Sequence, residues 1–272
     1  MKEDKISAKG WDTIANAYQK RYQIEVSPIV YSPLGPTENE LNLLGVKKNQ
    51  KIIDIGAGGC QKAIYLAKHG AKVTAYDISK KQLDYGKKLA TKHKVSLDFV
   101  RGDFQSLKFH FSNNHFDIAY SLFALQYNRN IKALRKTFSE IYQILKPNGI
   151  FVFSLDHPFK SLGFWDVKNN QFVVDNYFDE KEHKYEYSFP ELKTSGKFRG
   201  SFWRLSKMIN ALIDSKFKLE KFLEPEPIKR KRYFDKFGIS SRYGLNSKQD
   251  PFNFKNLKRI PGVIIIKAIK PK

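Results

Sequence analysis

The most constraining stretch of this 272-residue chain is Lys51-Ile-Ile-Asp-Ile-Gly-Ala-Gly-Gly-Cys-Gln-Lys-Ala-Ile-Tyr-Leu-Ala-Lys-His-Gly70. Ile52, Ile53 and Ile55 form a short β-branched run, the pattern of a parallel strand buried on both faces. Gly56-Ala57-Gly58-Gly59 then turns the chain, and Ala63, Ile64, Leu66 and Ala67 recur at helical spacing until Gly70 ends the helix. Strand, glycine turn and helix N-terminus together make a place where backbone N–H groups can approach a ligand closely. A dinucleotide fingerprint would put glycine at positions 56, 58 and 61, but position 61 is Gln. No Walker lysine follows the loop, which argues against a nucleoside triphosphate. A second strand, Lys72–Asp77, ends in an acid 23 residues after Asp54, and such an acid suits the two hydroxyls of a ribose.

The Asp54-x-Gly56-x-Gly58 loop, with Asp77 at the next strand end, resembles the class I S-adenosylmethionine-dependent methyltransferases, especially the type 11 group that includes quinone-biosynthesis enzymes. The resemblance implies S-adenosyl-L-methionine as cofactor and a doubly wound α/β fold around a mostly parallel, seven-stranded, Rossmann-like sheet. It implies that Asp54, Gly56, Ala57 and Gly58 wrap the amino-acid end of the cofactor, while Asp77, followed by Ile78 and Gln82, holds the ribose. Asp103 would bind the adenine amino group and Phe104 would supply an adjacent backbone N–H. Trp11-Asp-x-x-Ala15-x-x-Tyr18 is similar to the lid helix of this group, in which the tyrosine approaches the cofactor. Ala124-Leu125-Gln126-Tyr127, Asp156-His157-Pro158, Asn210-Ala211-Leu212 and Arg259-Ile260-Pro261 extend the likeness over most of the chain. Two departures stand out. Cys60 occupies the place of a commoner glycine, and Phe202-Trp203-Arg204 stands where a His-Arg-Thr-like trio is expected, so substrate specificity is not inherited with the family.

In chain order, residues 7–24 read as an amphipathic helix capped by Ser7, with Trp11, Ile14, Ala15, Tyr18 and Tyr22 at helical spacing. Thr37 and Glu40 form a capping box for a helix over Glu38–Leu44, which Gly45 ends. Strands are expected at Ser96–Arg101, Phe116–Ser121, Ile150–Leu155, Phe217–Leu223 and Gly262–Ile269, and helices after Ser79, over Ile131–Leu145 and over Phe202–Asp214. Ser121 and Leu122 would then sit at the carboxyl end of the fourth strand, beside the first, at the switch point where open α/β sheets bind ligands.

The domain plan that follows is a lid over 1–46, a cofactor-binding core over 47–156 and 202–272, and an aromatic-rich cap inserted at 157–201. A segment leaving the fifth strand passes over the reactive end of the cofactor, so Tyr127, Trp165, Tyr177 and Arg199 are candidate substrate contacts. These aromatics equally suit a hairpin packing its own small core. Methyl transfer from a sulfonium needs mainly an oriented nucleophile and, for a protonated acceptor, a base. His157, at the end of the fifth strand, is the candidate base, with a substrate-shaping or structural role as the alternative.

The chain carries a net charge of +22, and residues 191–272 hold 21 Lys/Arg against 7 Asp/Glu. That balance raises an RNA methyltransferase as a competing function. The lysines are dispersed, however, and only Lys229-Arg-Lys-Arg232 makes a compact run. The position of the Asn/Asp-Pro-Pro-aromatic motif of amino-methylating nucleic-acid enzymes holds Ser121-Leu-Phe-Ala124 instead. A non-catalytic cofactor-binding protein is the third class. The reading favoured is transfer to a small-molecule acceptor. One cysteine excludes an internal disulfide and any cysteine-only metal site. With no apolar run of membrane-span length and no signal-peptide core, the expected location is cytoplasmic, with no membrane partner.

Overall fold

A computed structural model describes residues 4–166, 168–179, 181–228 and 254–272; the basic run Lys229–Arg232 lies outside the described residues. Five parallel strands, β1 (Lys51–Ile55), β2 (Lys72–Asp77), β3 (Asp98–Arg101), β4 (Phe116–Leu122) and β5 (Leu145–Asp156), build most of one sheet. Two antiparallel strands, β10 (Lys218–Leu223) and β11 (Val263–Ile269), complete it in the order β10-β11-β5-β4-β1-β2-β3. The strand order reverses between β1 and β4, the switch point expected from the sequence. Helices α1 (Lys5–Tyr22), α3 (Gln61–Lys68), α4 (Lys80–Lys92), α5 (Ile131–Ile144) and α7 (Leu205–Asp214) pack on the sheet and over its end. This is the doubly wound, mostly parallel seven-stranded arrangement that the sequence resemblance implies.

The β-branched run of β1 is buried on both faces, as its pattern requires. Ile53 and Ile55 join Phe138, Phe151, Phe153 and Leu212 on one side. Ile52 joins Ile29, Tyr31, Leu43, Leu44 and Ile64 on the other. Residues 157–201 form a short helix α6 (Pro158–Ser161) and two hairpins, β6 (Gly163–Asp166) with β7 (Gln171–Val174) and β8 (His183–Phe189) with β9 (Thr194–Gly200). The second hairpin lies against α1, where Trp11 meets Phe198 with ring centroids 5.1 Å apart and Tyr18 meets Tyr187 at 6.3 Å. Among the described residues no helix is long and apolar enough to cross a membrane.

Several boundaries differ from expectation for local reasons. α1 is capped by Asp4, whose Oδ1 accepts from the N–H groups of Ile6 and Ser7; Ser7 itself is buried and donates its hydroxyl to Asp4 Oδ2. Lys146–Gly149, between the helix expected to end at Leu145 and the strand expected to start at Ile150, lies within β5, because Asn148 and Gly149 exchange backbone hydrogen bonds with Lys270 just beyond β11. Trp203 is buried ahead of α7, which begins only at Leu205.

The helix predicted over Glu38–Leu44 stops at Leu41 (α2, Glu38–Leu41), although the Thr37–Glu40 capping box is present. The Glu38 carboxylate takes over the task of the missing turns. It accepts from the N–H groups of Leu43, Leu44 and Gly45 at 3.1, 2.8 and 3.2 Å, and from the buried Tyr31 hydroxyl. One side chain thus folds residues 29–45 against the sheet. Glu38→Ala would leave several buried donors unpaired, and should cost about 2–4 kcal/mol in urea unfolding, with Glu38→Gln intermediate.

Candidate functional site

A cavity of about 530 Å3 opens at the carboxyl ends of the parallel strands. Its floor is the glycine turn. Gly56 has φ +80°, and a side chain there would strike Ala124 Cβ, so only glycine fits. The turn spends its backbone donors internally. Gly56 and Ala57 N–H bond to Tyr76 O at 2.8 and 3.1 Å, Gly58 N–H to Asp77 Oδ2 at 2.7 Å, and Cys60 N–H to Ala57 O at 2.9 Å. Most of the backbone donors anticipated from the sequence are therefore taken up by the protein itself. What lines this end of the cavity is carboxylate: Asp4, Asp54, Asp77 and Asp103, with Lys62 nearby. In a chain of net charge +22 that concentration of acid favours a cationic ligand over a phosphate.

Each acid is held firmly. Asp77 Oδ1 accepts from Ser79 N–H at 2.8 Å while its other oxygen holds Gly58, leaving lone pairs for hydroxyl donors. Asp103 Oδ1 caps the 3₁₀ turn Phe104–Phe109 through Gln105 N–H, and its Oδ2 receives Asp4 N–H at 3.1 Å. Burial pushes the Asp54 carboxyl up to about 7, with the Asp77 charge adding to the shift and Lys62 opposing it. Burial likewise lifts Asp77 to about 6, against the hydrogen bonds from Ser79 and Gly58. Lys62, lowered to about 8 by burial, donates to Ser27 Oγ at 2.8 Å. Cys60 takes a left-handed φ of +63° at the helix entry and buries its thiol against Gly86, where a Cβ would lie 2.4 Å from the sulfur. The thiol thus packs beneath the loop.

Helix α1 packs over this floor through polar contacts that the sequence reading missed. Gln19 Nε2 donates to Gln82 Oε1 at 2.8 Å, and Gln61 Nε2 donates to Gln19 Oε1 at 2.6 Å, all buried. Asp12 Oδ1 accepts from Ser79 Oγ and Lys81 N–H at 2.7 and 3.0 Å. Asp12 lay within the Trp11-Asp pattern and Gln19 falls seven residues on, a face that helical spacing alone could have marked.

Of the residues singled out in the sequence, Tyr18, Asp54, Gly56, Ala57, Gly58, Asp77, Ile78, Gln82, Asp103, Phe104, Leu122 and Tyr127 all line the cavity. Five others do not. Ser121 is fully buried and donates to Ile55 O at 2.8 Å, stitching β4 to β1. Trp165 packs on Phe172 and beneath the Arg259 guanidinium. Tyr177 accepts from Leu205 N–H, and Arg199 lies 3.7 Å from Glu182. His157 is engaged at both nitrogens: Nδ1 accepts from Phe159 N–H at 3.1 Å, capping α6, and Nε2 lies 2.7 Å from Glu224 Oε1. Burial lowers its pKa against the pull of Glu224. A ring so tied has no free lone pair for an acceptor's proton, and its position is that of a structural cap. Trp11 from α1, Tyr185 and Tyr187 from the second hairpin, and Phe202 just beyond it line the cavity instead.

The Asp54 carboxyl makes the site pH-sensitive in two opposite ways. Its folded pKa of about 7 lies above the ordinary carboxylate range, so its contribution to stability is complete below about pH 4 and is lost as pH rises through 7. Asp54→Asn should therefore gain stability relative to the parent on going from pH 5 to 8, with a ceiling of about 2.5 kcal/mol over that range. A cationic ligand should bind the parent more tightly over the same rise, and the variant with a flatter pH dependence. Urea unfolding and calorimetric titration across this range check both signs.

Comparison with known proteins agrees with this geometry. The family model described as "Methyltransferase domain" matches residues 53–153. A protein of Haemophilus influenzae of uncharacterized function is 26% identical over 98% of each chain. Sterol 24-C-methyltransferase ERG6A of Gibberella zeae is 33% identical over 111 residues, 40% of this chain and only 28% of the length of that enzyme. The crystal structure of an S-adenosylmethionine-dependent methyltransferase from Mesorhizobium loti superimposes with a TM-score of 0.58 at 25% identity, covering 82% of this chain and 91% of that one. With the switch-point cavity, the glycine turn and the acids at successive strand ends, these likenesses show that residues 53–153 form a methyltransferase domain and that the chain has the fold of the S-adenosylmethionine-dependent methyltransferases.

Proposed function

We propose that this methyltransferase acts on a small, largely apolar acceptor held between α1 and the β8–β9 hairpin. The observation that carries the reading is the division of one cavity into an acidic half and an aromatic half. In the acidic half, Asp77 and Ile78 with Gln82 would hold the ribose, Asp103 and Phe104 the adenine, and Asp54 with the Gly56–Gly58 turn the amino-acid end. When bound, the cofactor supplies a methyl group already activated by its positive sulfur. The chain's own residues position the partner and exclude water.

In the aromatic half, Trp11, Tyr18, Tyr127, Tyr185, Tyr187 and Phe202 provide flat walls suited to a flat or alicyclic molecule. Edge-on contacts between Trp11 and Tyr18 (5.3 Å) and between Trp11 and Tyr127 (5.7 Å) keep these rings in register. The sterol enzyme among the relatives acts on a molecule of this class by its name, which supports the reading for this chain. The residues after β4 support it over an RNA substrate. Phe123, at φ +52°, lines the cavity where a nucleic-acid amino-methylating motif would stand.

The direct test supplies S-adenosylmethionine carrying a deuterated methyl group together with a metabolite extract, and identifies labelled products by mass spectrometry. A labelled small molecule is expected; label confined to RNA would contradict the proposal. Trp11→Ala should weaken the identified acceptor by roughly 2 kcal/mol, about thirtyfold in KM, while cofactor affinity measured by calorimetry changes far less.

A further inference from the structure

We infer that Gln126 selects the methyl acceptor by accepting a hydrogen bond from a hydroxyl or N–H on an otherwise apolar molecule; this rests on the small-acceptor reading above. Gln126 lines the cavity, yet its Oε1 is buried and has no hydrogen-bond partner. Buried acceptors are almost always satisfied, and an orphan in a ligand cavity marks where a ligand donor belongs.

The turn carrying Gln126 is fixed, so the amide cannot relieve itself by a backbone shift. Tyr127 N–H bonds to Ala124 O at 3.1 Å, and both Asn128 N–H and Asn128 Nδ2 bond to Leu125 O at 3.0 Å. Thr137 Oγ1 donates to Asn128 Oδ1 at 2.7 Å, tying the turn to α5. Ser201 N–H donates to the Gln126 carbonyl at 2.9 Å, and Ser201 Oγ to Arg129 O at 2.7 Å. The strand residue beside it is Gly200, where a Cβ would approach the Gln126 carbonyl to 2.8 Å. Gln126 is thereby held in a fixed turn at the edge of the cavity, and its side-chain oxygen makes no hydrogen bond with the residues around it. A purely hydrocarbon molecule would leave it unpaired, whereas one carrying a donor would pair it, and the discrimination falls on the acceptor alone.

The probes are 2-naphthol and naphthalene, titrated calorimetrically into protein saturated with S-adenosylhomocysteine. The parent should bind 2-naphthol about tenfold more tightly than naphthalene, the ratio expected of one added buried hydrogen bond. Gln126→Met should lose that preference with unchanged affinity for naphthalene and S-adenosylhomocysteine, and Gln126→Glu, which keeps an acceptor, should retain it. Equal or weaker binding of 2-naphthol by the parent would overturn the assignment to Gln126 and leave the apolar compartment standing. Binding of neither probe would remove the compartment and this inference with it. Since the first comparison uses the parent protein, the outcome does not depend on the Met variant folding.

Discussion

The site depends on one carboxylate. Asp77 ends β2, takes Gly58 N–H on one oxygen and Ser79 N–H on the other, and so binds the strand, the glycine turn and the start of α4 into a single unit. It does this while almost fully buried, with its pKa raised to about 6 by that burial. Together with Asp54, lifted to about 7, it carries an unfavourable desolvation of charge. A ligand bearing hydroxyl donors and positive charge is the natural partner for that arrangement, whereas a phosphate would add to the repulsion.

The other elements arrange themselves around this centre. The Gln19–Gln61–Gln82 chain, the Asp12 contacts to Ser79 and Lys81, and the Asp4–Asp103 link fasten α1 to the rim of the acidic half. Trp11 and Tyr18 on the same helix turn toward the β8–β9 hairpin. One helix therefore borders both halves of the cavity. On the proposed reading, α1 would order the acceptor wall only where its polar clasp is closed, which gives a physical reason for a helix rich in both amide and aromatic side chains.

Much of this was legible in the sequence, for reasons that can be named. β1, its turn and the acid of β2 are local signals: a β-branched run, glycines required by backbone geometry, and an acid at a strand end. Parallel order and the switch point were what the family resemblance implied, in keeping with the alternation of strand and helix. The substrate side was less legible. Trp165, Tyr177 and Arg199 were chosen for lying in an aromatic insertion, but period-two alternation does not tell which hairpin face meets the cavity, and Tyr185, Tyr187 and Phe202 are the aromatics that line it. From the sequence, His157 is a candidate base because it ends β5, with a substrate-shaping or structural role as the alternative; what ties its ring, Glu224 above all, lies 67 residues away in sequence. The early end of α2 was equally hidden, since Glu38 replaces helical hydrogen bonds by reaching three backbone N–H groups beyond its own helix.

The central claim is that the acidic half is the S-adenosylmethionine site, with Asp77 holding the ribose. Calorimetric titration of S-adenosylmethionine into the parent and Asp77→Ala, with circular dichroism on both to verify the fold, tests it most directly. Loss of a charged acceptor should weaken binding by about 1.5–3 kcal/mol, or roughly 10- to 150-fold. Unchanged affinity in a folded Asp77→Ala protein would contradict the account.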